Sequence, residues 1–194
     1  MTCRFPQLLI VLAFATLTSS QFASAQFPDV PGLGEDQFLK SFDEAATFST
    51  SITPAKAKPG EAVTFTLTIS PNFGCWTYPA NPREGQTGTN TFVLPKTGDV
   101  LFIQKFDDPE HHKVKKNGGD WYYPEAATWK FKAYINPNAK PGKKKVDLDV
   151  GTRLQVCNSK NCVYYGNLSP VSADVEILSG PAVAIPDDVL KQLM

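Results

Sequence analysis

The sequence predicts an all-β protein, an antiparallel β-sandwich that ends in a short helical tail. Apolar and polar side chains alternate with period two in several segments, and Pro and Gly residues separate those segments. Together these signals indicate roughly eight to nine short strands, the pattern of a sandwich. The 194 residues carry 19 basic and 19 acidic side chains, and this balance argues against a nucleic-acid partner.

An export signal is expected at residues 1–25. An apolar run at 8–17 precedes the A-x-A sequence of residues 23–25, which is typical of cleavage before Gln26. The run is shorter than the about 20 apolar residues that a transmembrane helix needs. We therefore expect an exported protein, periplasmic or secreted, with no membrane span after cleavage.

A Pro- and Gly-containing leader at 26–44, with Phe27, Phe38 and Phe42 as candidate packing points, precedes the domain expected at 45–180. The clearest strand is 63–69, where four apolar side chains alternate with Thr and Ser between two turn signals. The same alternation predicts strands at 47–52, 129–135, 145–150 and 171–177. Shorter strands are predicted at 76–78, 91–94, 100–103, 152–157 and 162–166. Within the tail at 181–194, residues 187–194 are predicted to be helical.

Signal cleavage leaves three cysteines, Cys75, Cys157 and Cys162. Oxidising compartments normally hold cysteines in pairs, so the odd count indicates a free or reactive thiol. An odd thiol at Cys75 could link two chains, and it could equally be buried and inert.

Cys157 and Cys162 flank the polar tetrapeptide 158–161, which is typical of a hairpin loop. Facing residues of such a hairpin have Cα atoms about 4.5–5.5 Å apart, within reach of a disulfide. A reversible bridge is therefore geometrically reasonable, and Lys160 between the two cysteines could favour a thiolate.

The role of this bridge stays open at the level of sequence. Val146, Leu148, Val150, Leu154 and Val156 share one parity, predicted to face the core, and Cys157 has the other unless a bulge at Gly151 resets it. A short exposed bridge that closes six residues restrains the unfolded chain by only about 2 kcal/mol. Thiol–disulfide exchange and a static clip in a binding or scaffold module are both compatible with this pattern.

The segment 107–112 is rich in residues that can bind metals, including His111 and His112. Adjacent histidines on a strand point to opposite faces, and the segment lacks the ligand spacing of a zinc site. No metal site and no cofactor are predicted, and the chain carries no hydrolase or phosphate-binding motif.

Three motifs resemble the N-terminal periplasmic domain of the thiol:disulfide interchange protein DsbD, the disulfide bond corrector family. They are the leader FPDVPG (27–32) with Gln37-Phe38 and the strand at 46–48, the segment GCWTY (74–78) before Asn81-Pro82, and AKPG (139–142) before the cysteine hairpin. The resemblance covers residues 27–180. The spacing Cys-x4-Cys is one residue shorter than in the best-known member, and Cys75 is additional.

The resemblance implies an immunoglobulin-like sandwich whose cysteine pair passes electrons between periplasmic thiol–disulfide proteins, supplied by a membrane electron donor. It implies that Cys162 attacks the disulfide of a partner and that Cys157 resolves the mixed disulfide. It also implies an aromatic cap over the pair, for which Phe106 is the candidate in this sequence.

Overall fold

The computed structural model describes residues 37–110, 113–114, 119–166 and 169–193. The described chain is built mainly from short strands. In chain order the elements are α1 (Phe42–Ala45), β1 (Ala46–Thr53), β2 (Lys56–Ala57), β3 (Ala62–Pro71), β4 (Trp76–Thr77), β5 (Val100–Phe102), β6 (Lys113–Val114), β7 (Trp121–Tyr122), β8 (Ala127–Ile135), β9 (Gly142–Asp147), β10 (Leu154–Cys157), β11 (Cys162–Tyr165), β12 (Ser172–Ile177) and α2 (Asp187–Leu193).

The strands form two principal antiparallel sheets with an immunoglobulin-like order. One sheet has the order β1-β3-β8-β5 and the other β11-β10-β4. If β1, β3, β4, β5, β8, β10 and β11 are lettered A to G, the first sheet has the order A-B-E-D and the second the order G-F-C, as in an immunoglobulin domain. A third sheet, β2-β12-β9, contains the parallel pair β2–β12, and β6 pairs with β7. The predicted immunoglobulin-like all-β sandwich is confirmed.

One hydrophobic core draws on strands of all three larger sheets. The predicted alternation is confirmed on the longest strands, since every second side chain of β3 and β8 is buried between exposed or half-buried neighbours. Trp129, Phe65 and Phe131 are the largest of these buried side chains, together with Phe102 of β5. The aromatic rings of Phe65 and Phe131 are 6.1 Å apart, so the two central strands share packing on their inner faces.

The ladders β9–β12 and β10–β11 belong to one long hairpin with a single register. Asp147 faces Ser172 in the first ladder, and Leu154 faces Tyr165 in the second. The same number of residues separates Asp147 from Leu154 as separates Tyr165 from Ser172, so neither strand gains a residue between the ladders. The described residues within 142–166 and 169–177 therefore form one hairpin, with Cys157 and Cys162 at its tip.

Between β9 and β10, the chain leaves the hairpin ladder and hydrogen-bonds to the segment at 91–93. Backbone N–H groups of Asp149 and Arg153 donate to the carbonyls of Val93 and Thr91, at 2.8 Å each. Val150 lies in this segment between β9 and β10, and its side chain is 96% exposed. Its predicted place in the core is wrong, because tertiary hydrogen bonds outweigh the alternation here.

Two other predictions from the sequence have definite outcomes. The predicted strand at 91–94 is wrong, since only an isolated bridge between Thr91 and Arg153 forms there. The predicted C-terminal helix is confirmed at Asp187–Leu193, and Met194 lies outside the described residues. The chain before this helix is held by a bond from Val183 N to Pro59 O, where Gly60 has φ +82° and leaves no room for a Cβ.

No helix in the described part of the chain is long and apolar enough to cross a membrane. The expected export signal at 1–25 and the predicted packing point Phe27 lie outside the described residues.

Candidate functional site

Cys157 and Cys162 form a disulfide at the tip of the hairpin. They are a directly facing pair of the β10–β11 ladder, and their Cα atoms are 4.0 Å apart, slightly closer than expected. The bridge foreseen from the four-residue loop is therefore present in the structure.

The two sulfur-bearing residues differ strongly in accessibility. Cys157 is 2% exposed, whereas Cys162 is exposed to solvent. The interpretation of the bridge as exposed is right for Cys162 and wrong for Cys157. Cys157 does have the predicted parity, opposite to its inward-facing neighbour Val156, but this second face is also covered because Trp76 of β4 lies directly beside it.

A buried polar network holds the strand next to Cys157. The Asn90 side chain accepts the backbone N–H of Gln155 at 2.7 Å and donates to the Thr77 hydroxyl at 3.0 Å. That hydroxyl donates in turn to the carbonyl of Gln155 at 2.8 Å. Thr77, Asn90 and Gln155 are all buried, so these bonds fix the backbone of β10 two residues before the disulfide.

The side chain of Gln155 connects this network to the disulfide. Its Oε1 accepts the backbone N–H of Thr89 at 3.1 Å, and its Nε2 donates to Cys157 Sγ at 3.5 Å. An amide N–H thus reaches the buried sulfur. Sequence analysis did not single out Gln155, because the residues that orient it, Thr77, Thr89 and Asn90, lie at least 65 residues away along the chain.

The hairpin turn is ordered by Asn158. Its Oδ1 accepts the backbone N–H groups of Lys160 at 2.9 Å and Asn161 at 3.0 Å. Its own backbone N–H donates to Asn161 O at 3.0 Å. Asn side chains commonly stabilise turns in this way, so the loop holds the facing cysteines in register.

The leader segment binds to this turn, and we call these bonds the leader contact. Asn158 Nδ2 donates to Gln37 O at 2.6 Å. Leu39 N donates to Asn161 Oδ1, and Asn161 Nδ2 donates to Leu39 O, both at 2.8 Å. More than 120 residues separate these partners, so sequence analysis could not anticipate the leader contact.

The leader continues into the core beside β11. Phe42, one of the predicted packing points, is buried and its ring lies 5.5 Å from that of Tyr165. Phe38 was also predicted to pack, but it is exposed because the leader contact uses the backbone of its neighbours.

Aromatic side chains lie on the same face as the disulfide. Trp76 Nε1 donates to the Tyr78 hydroxyl at 2.8 Å, and the Trp76 and Tyr122 rings meet edge to face at 5.8 Å. Near β11, the guanidinium carbon of Arg153 lies 4.8 Å from the centre of the Tyr164 ring. The exposed residue Cys162 is therefore close to a partly apolar surface.

The structure describes the surroundings of the other predicted site residues. The Phe106 ring packs on Phe131 at 5.0 Å and on Phe92 at 5.8 Å, and its role as a cap over the cysteine pair stays a prediction. Lys160 is an exposed turn residue next to the cysteine pair, and its effect on a thiolate stays a prediction. Cys75 is a buried free thiol, and burial raises its pKa, which suppresses the reactive thiolate near neutral pH.

The acidic segment beside Phe106 has a structural role. Asp108 accepts hydrogen bonds from the Trp129 indole at 2.9 Å and from the backbone of Ala80 at 2.7 Å and Asn81 at 2.9 Å. Among the residues that the structure describes, no group of three His, Cys, Asp or Glu side chains could hold a metal ion. His111 and His112 lie outside those residues.

No family model and no curated protein matches this chain. Among solved structures, it is similar to the seventh ScaB type I cohesin from Pseudobacteroides cellulosolvens, with 12% identity and a TM-score of 0.32 over 71% of this chain and 94% of that chain. It is also similar to a family 123 glycoside hydrolase from Clostridium perfringens, with 11% identity and a TM-score of 0.30 over 70% of this chain and 28% of that chain.

Proposed function

We propose that this domain exchanges thiols and disulfides with exported proteins through Cys157 and Cys162. The observation that carries the proposal is the unequal exposure of the two residues, with Cys162 accessible and Cys157 buried beside an amide donor. Exchange needs one accessible sulfur that meets the partner and a neighbouring sulfur that resolves the mixed disulfide. The pair at the hairpin tip offers both.

The reduced domain would act in two steps. The Cys162 thiolate attacks one sulfur of a partner disulfide, so a Cys162–partner bond forms, the partner disulfide breaks, and the electron pair leaves on the second partner sulfur. The Cys157 thiolate then attacks Cys162 Sγ, which forms the intramolecular bond and releases the first partner sulfur. The partner gains two electrons, both of its sulfurs leave as thiolates that take up protons from solvent, and the domain ends oxidised.

Re-reduction runs through the same sulfur. A thiolate of a donor dithiol attacks the exposed Cys162 Sγ, and the electron pair leaves on Cys157. The second donor thiolate then attacks the donor sulfur of the mixed disulfide and frees Cys162. We propose exported thiol–disulfide proteins as partners, a membrane dithiol protein as the donor, and the periplasm as the compartment.

The alternative is a static clip in a binding or scaffold module. Two features make the bridge a weak clip. Backbone pairing and the Asn158 side chain already hold the turn, and so short a ring contributes only about 2 kcal/mol through the unfolded state. These features favour a bridge that can open without unfolding the domain.

The decisive experiment is the reduction potential of the pair in the purified protein, measured in glutathione buffers with alkylation and peptide mass mapping. We expect reversible reduction with a potential above about −300 mV, the range of labile disulfides. The Cys162→Ser variant serves as the control that identifies the Cys157 peptide. A bridge that stays oxidised below that potential would overturn the proposal and leave the static clip.

A further inference from the structure

We infer that Gln155 is a catalytic residue of the exchange site, because its amide N–H stabilises the thiolate that forms on Cys157. The inference rests on the proposed function and extends it to a residue outside the cysteine pair. In each direction of exchange, Cys157 passes through a thiolate, either as the group that leaves Cys162 or as the group that attacks it. A donor at this sulfur acts on both steps.

The orientation of the amide follows from its two partners. The backbone N–H of Thr89 can only donate, so the Gln155 atom that it meets at 3.1 Å must be the oxygen. This places the nitrogen of the amide towards Cys157, at 3.5 Å from Sγ. A flipped amide would leave the Thr89 N–H facing another N–H group, so the donor is directed at the sulfur by the fold.

The surroundings of Gln155 make this contact both rigid and strong. Its backbone N–H and carbonyl are bound by Asn90 and Thr77, and the residue is 6% exposed. A hydrogen bond in such a site has little competition from water and is stronger than at the surface. A neutral disulfide sulfur is a weak acceptor, whereas a thiolate is charged and accepts more strongly. The contact therefore gains strength when the Cys157–Cys162 bond breaks.

Among the described residues, the side chain that hydrogen-bonds to Cys157 Sγ is the amide of Gln155. No acidic or basic side chain among them does so. Ionisable groups on the elements around the pair would act equally in the parent and in Gln155 variants. These groups are Tyr78 directly after β4, Arg153 directly before β10, Lys160 in the turn, Tyr164 and Tyr165 on β11, and Lys40, Asp43 and Glu44 in the leader and α1. A difference between variants therefore reports the amide.

The test uses the Cys162→Ser protein, in which Cys157 is a single thiol that NMR of the cysteine Cβ resonances separates from Cys75. Gln155→Met keeps the length of the side chain and removes the donor. We expect the pKa of the Cys157 thiol to rise by about one unit, a tenfold loss of thiolate. Gln86→Met is the matched control, because the Gln86 amide bonds to the backbone of Trp121 and Gly88 instead.

A second measurement needs no substitution at Gln155. In the Cys162→Ser protein, the Gln155 Nε2–H resonance should shift with the same midpoint as the Cys157 Cβ resonance, whereas the Gln86 amide should not. In the protein with both cysteines, Gln155→Met should slow reduction of the bridge by glutathione about three- to tenfold, because a leaving thiol of higher pKa leaves more slowly.

The outcomes separate the two claims. An unchanged Cys157 pKa in Gln155→Met, or an Nε2–H resonance that ignores the titration, would overturn the role of Gln155 while leaving exchange intact. A bridge that glutathione cannot reduce would remove the exchange function, whatever the titration shows. A pKa that rises equally in Gln86→Met would also overturn the inference, because it would indicate a general loss of structure.

Discussion

Trp76 lies directly opposite Cys157 across the β4–β10 ladder, and Cys162 lies opposite Cys157 on its other side. The indole and the disulfide thus belong to one row across three strands. Facing side chains of paired strands have Cβ atoms about 4.5–5.5 Å apart. Trp76 is therefore in contact range of the bridge.

This proximity makes Trp76 a reporter of the redox state. Disulfides quench the emission of neighbouring indoles, so we expect tryptophan fluorescence to increase when Cys157–Cys162 is reduced. The increase should vanish in Trp76→Phe. It should persist in Trp121→Phe, because the Trp121 indole is stacked against Arg83. A change that survives in Trp76→Phe would show that another indole senses the bridge.

The leader contact should protect the bridge from reduction. Asn161→Ala removes two hydrogen bonds to Leu39. Each contributes about 1 kcal/mol, so we expect the free energy of unfolding to fall by about 1–2 kcal/mol. Because the leader would detach from the turn, reduction by glutathione should become severalfold faster.

The control for this experiment is Asn136→Ala, which removes bonds to Gly98 and Asn138 in another loop. Its reduction rate should equal that of the parent. An equal acceleration in both variants would contradict protection by the leader contact.

The disulfide should contribute little to global stability. We expect Cys157→Ser combined with Cys162→Ser to lower the free energy of unfolding by about 2 kcal/mol. Phe65→Ala, which empties a fully buried site in the central strand, should cost about 3–5 kcal/mol. Urea denaturation of both proteins gives the comparison. A larger loss from the cysteine variant than from Phe65→Ala would identify a structural staple.

Cys75 should contribute to the loss of stability at alkaline pH. Burial raises its pKa above the ordinary value of 9.0, so the folded state keeps the proton that the unfolded chain releases. The full contribution is present below pH 9.0, and it is lost as the pH rises through the higher pKa of the folded state.

The measurement is the unfolding free energy of the parent and of Cys75→Ala as a function of pH. We expect the difference between them to be constant below pH 9.0 and to change in favour of Cys75→Ala above it. Burial also raises the pKa of Tyr123, but this residue is common to both proteins. A difference that stays flat would show that the Cys75 thiol ionises freely in the fold.

The strands were predictable where burial on one face sets the pattern. In β3 and β8 the apolar residues alternate without interruption, and each strand has neighbours on both edges. The pairing of Cys157 with Cys162 followed from the loop length between them. In these places local sequence and tertiary structure favour the same conformation.

Other features depend on partners that the local sequence does not reveal. Val150 continues the alternation of Val146 and Leu148, yet backbone bonds to Thr91 and Val93 draw its segment out of the ladder. The burial of Cys157 and the donor at its sulfur arise from β4 and the segment at 89–90. Such contacts are set by the packed fold and leave no periodic signal.

The break between the two ladders divides the long hairpin into a base and a tip. At the base, β12 pairs with β9 and with β2, whereas at the tip β10 pairs with β11 and with β4. Between them, Asp149 and Arg153 hydrogen-bond to Val93 and Thr91, so this part of the hairpin has a different partner from the base and from the tip. We therefore expect the amide hydrogens of the tip and of the base to exchange with solvent through separate local openings, so that the cysteine pair can change state without opening the base.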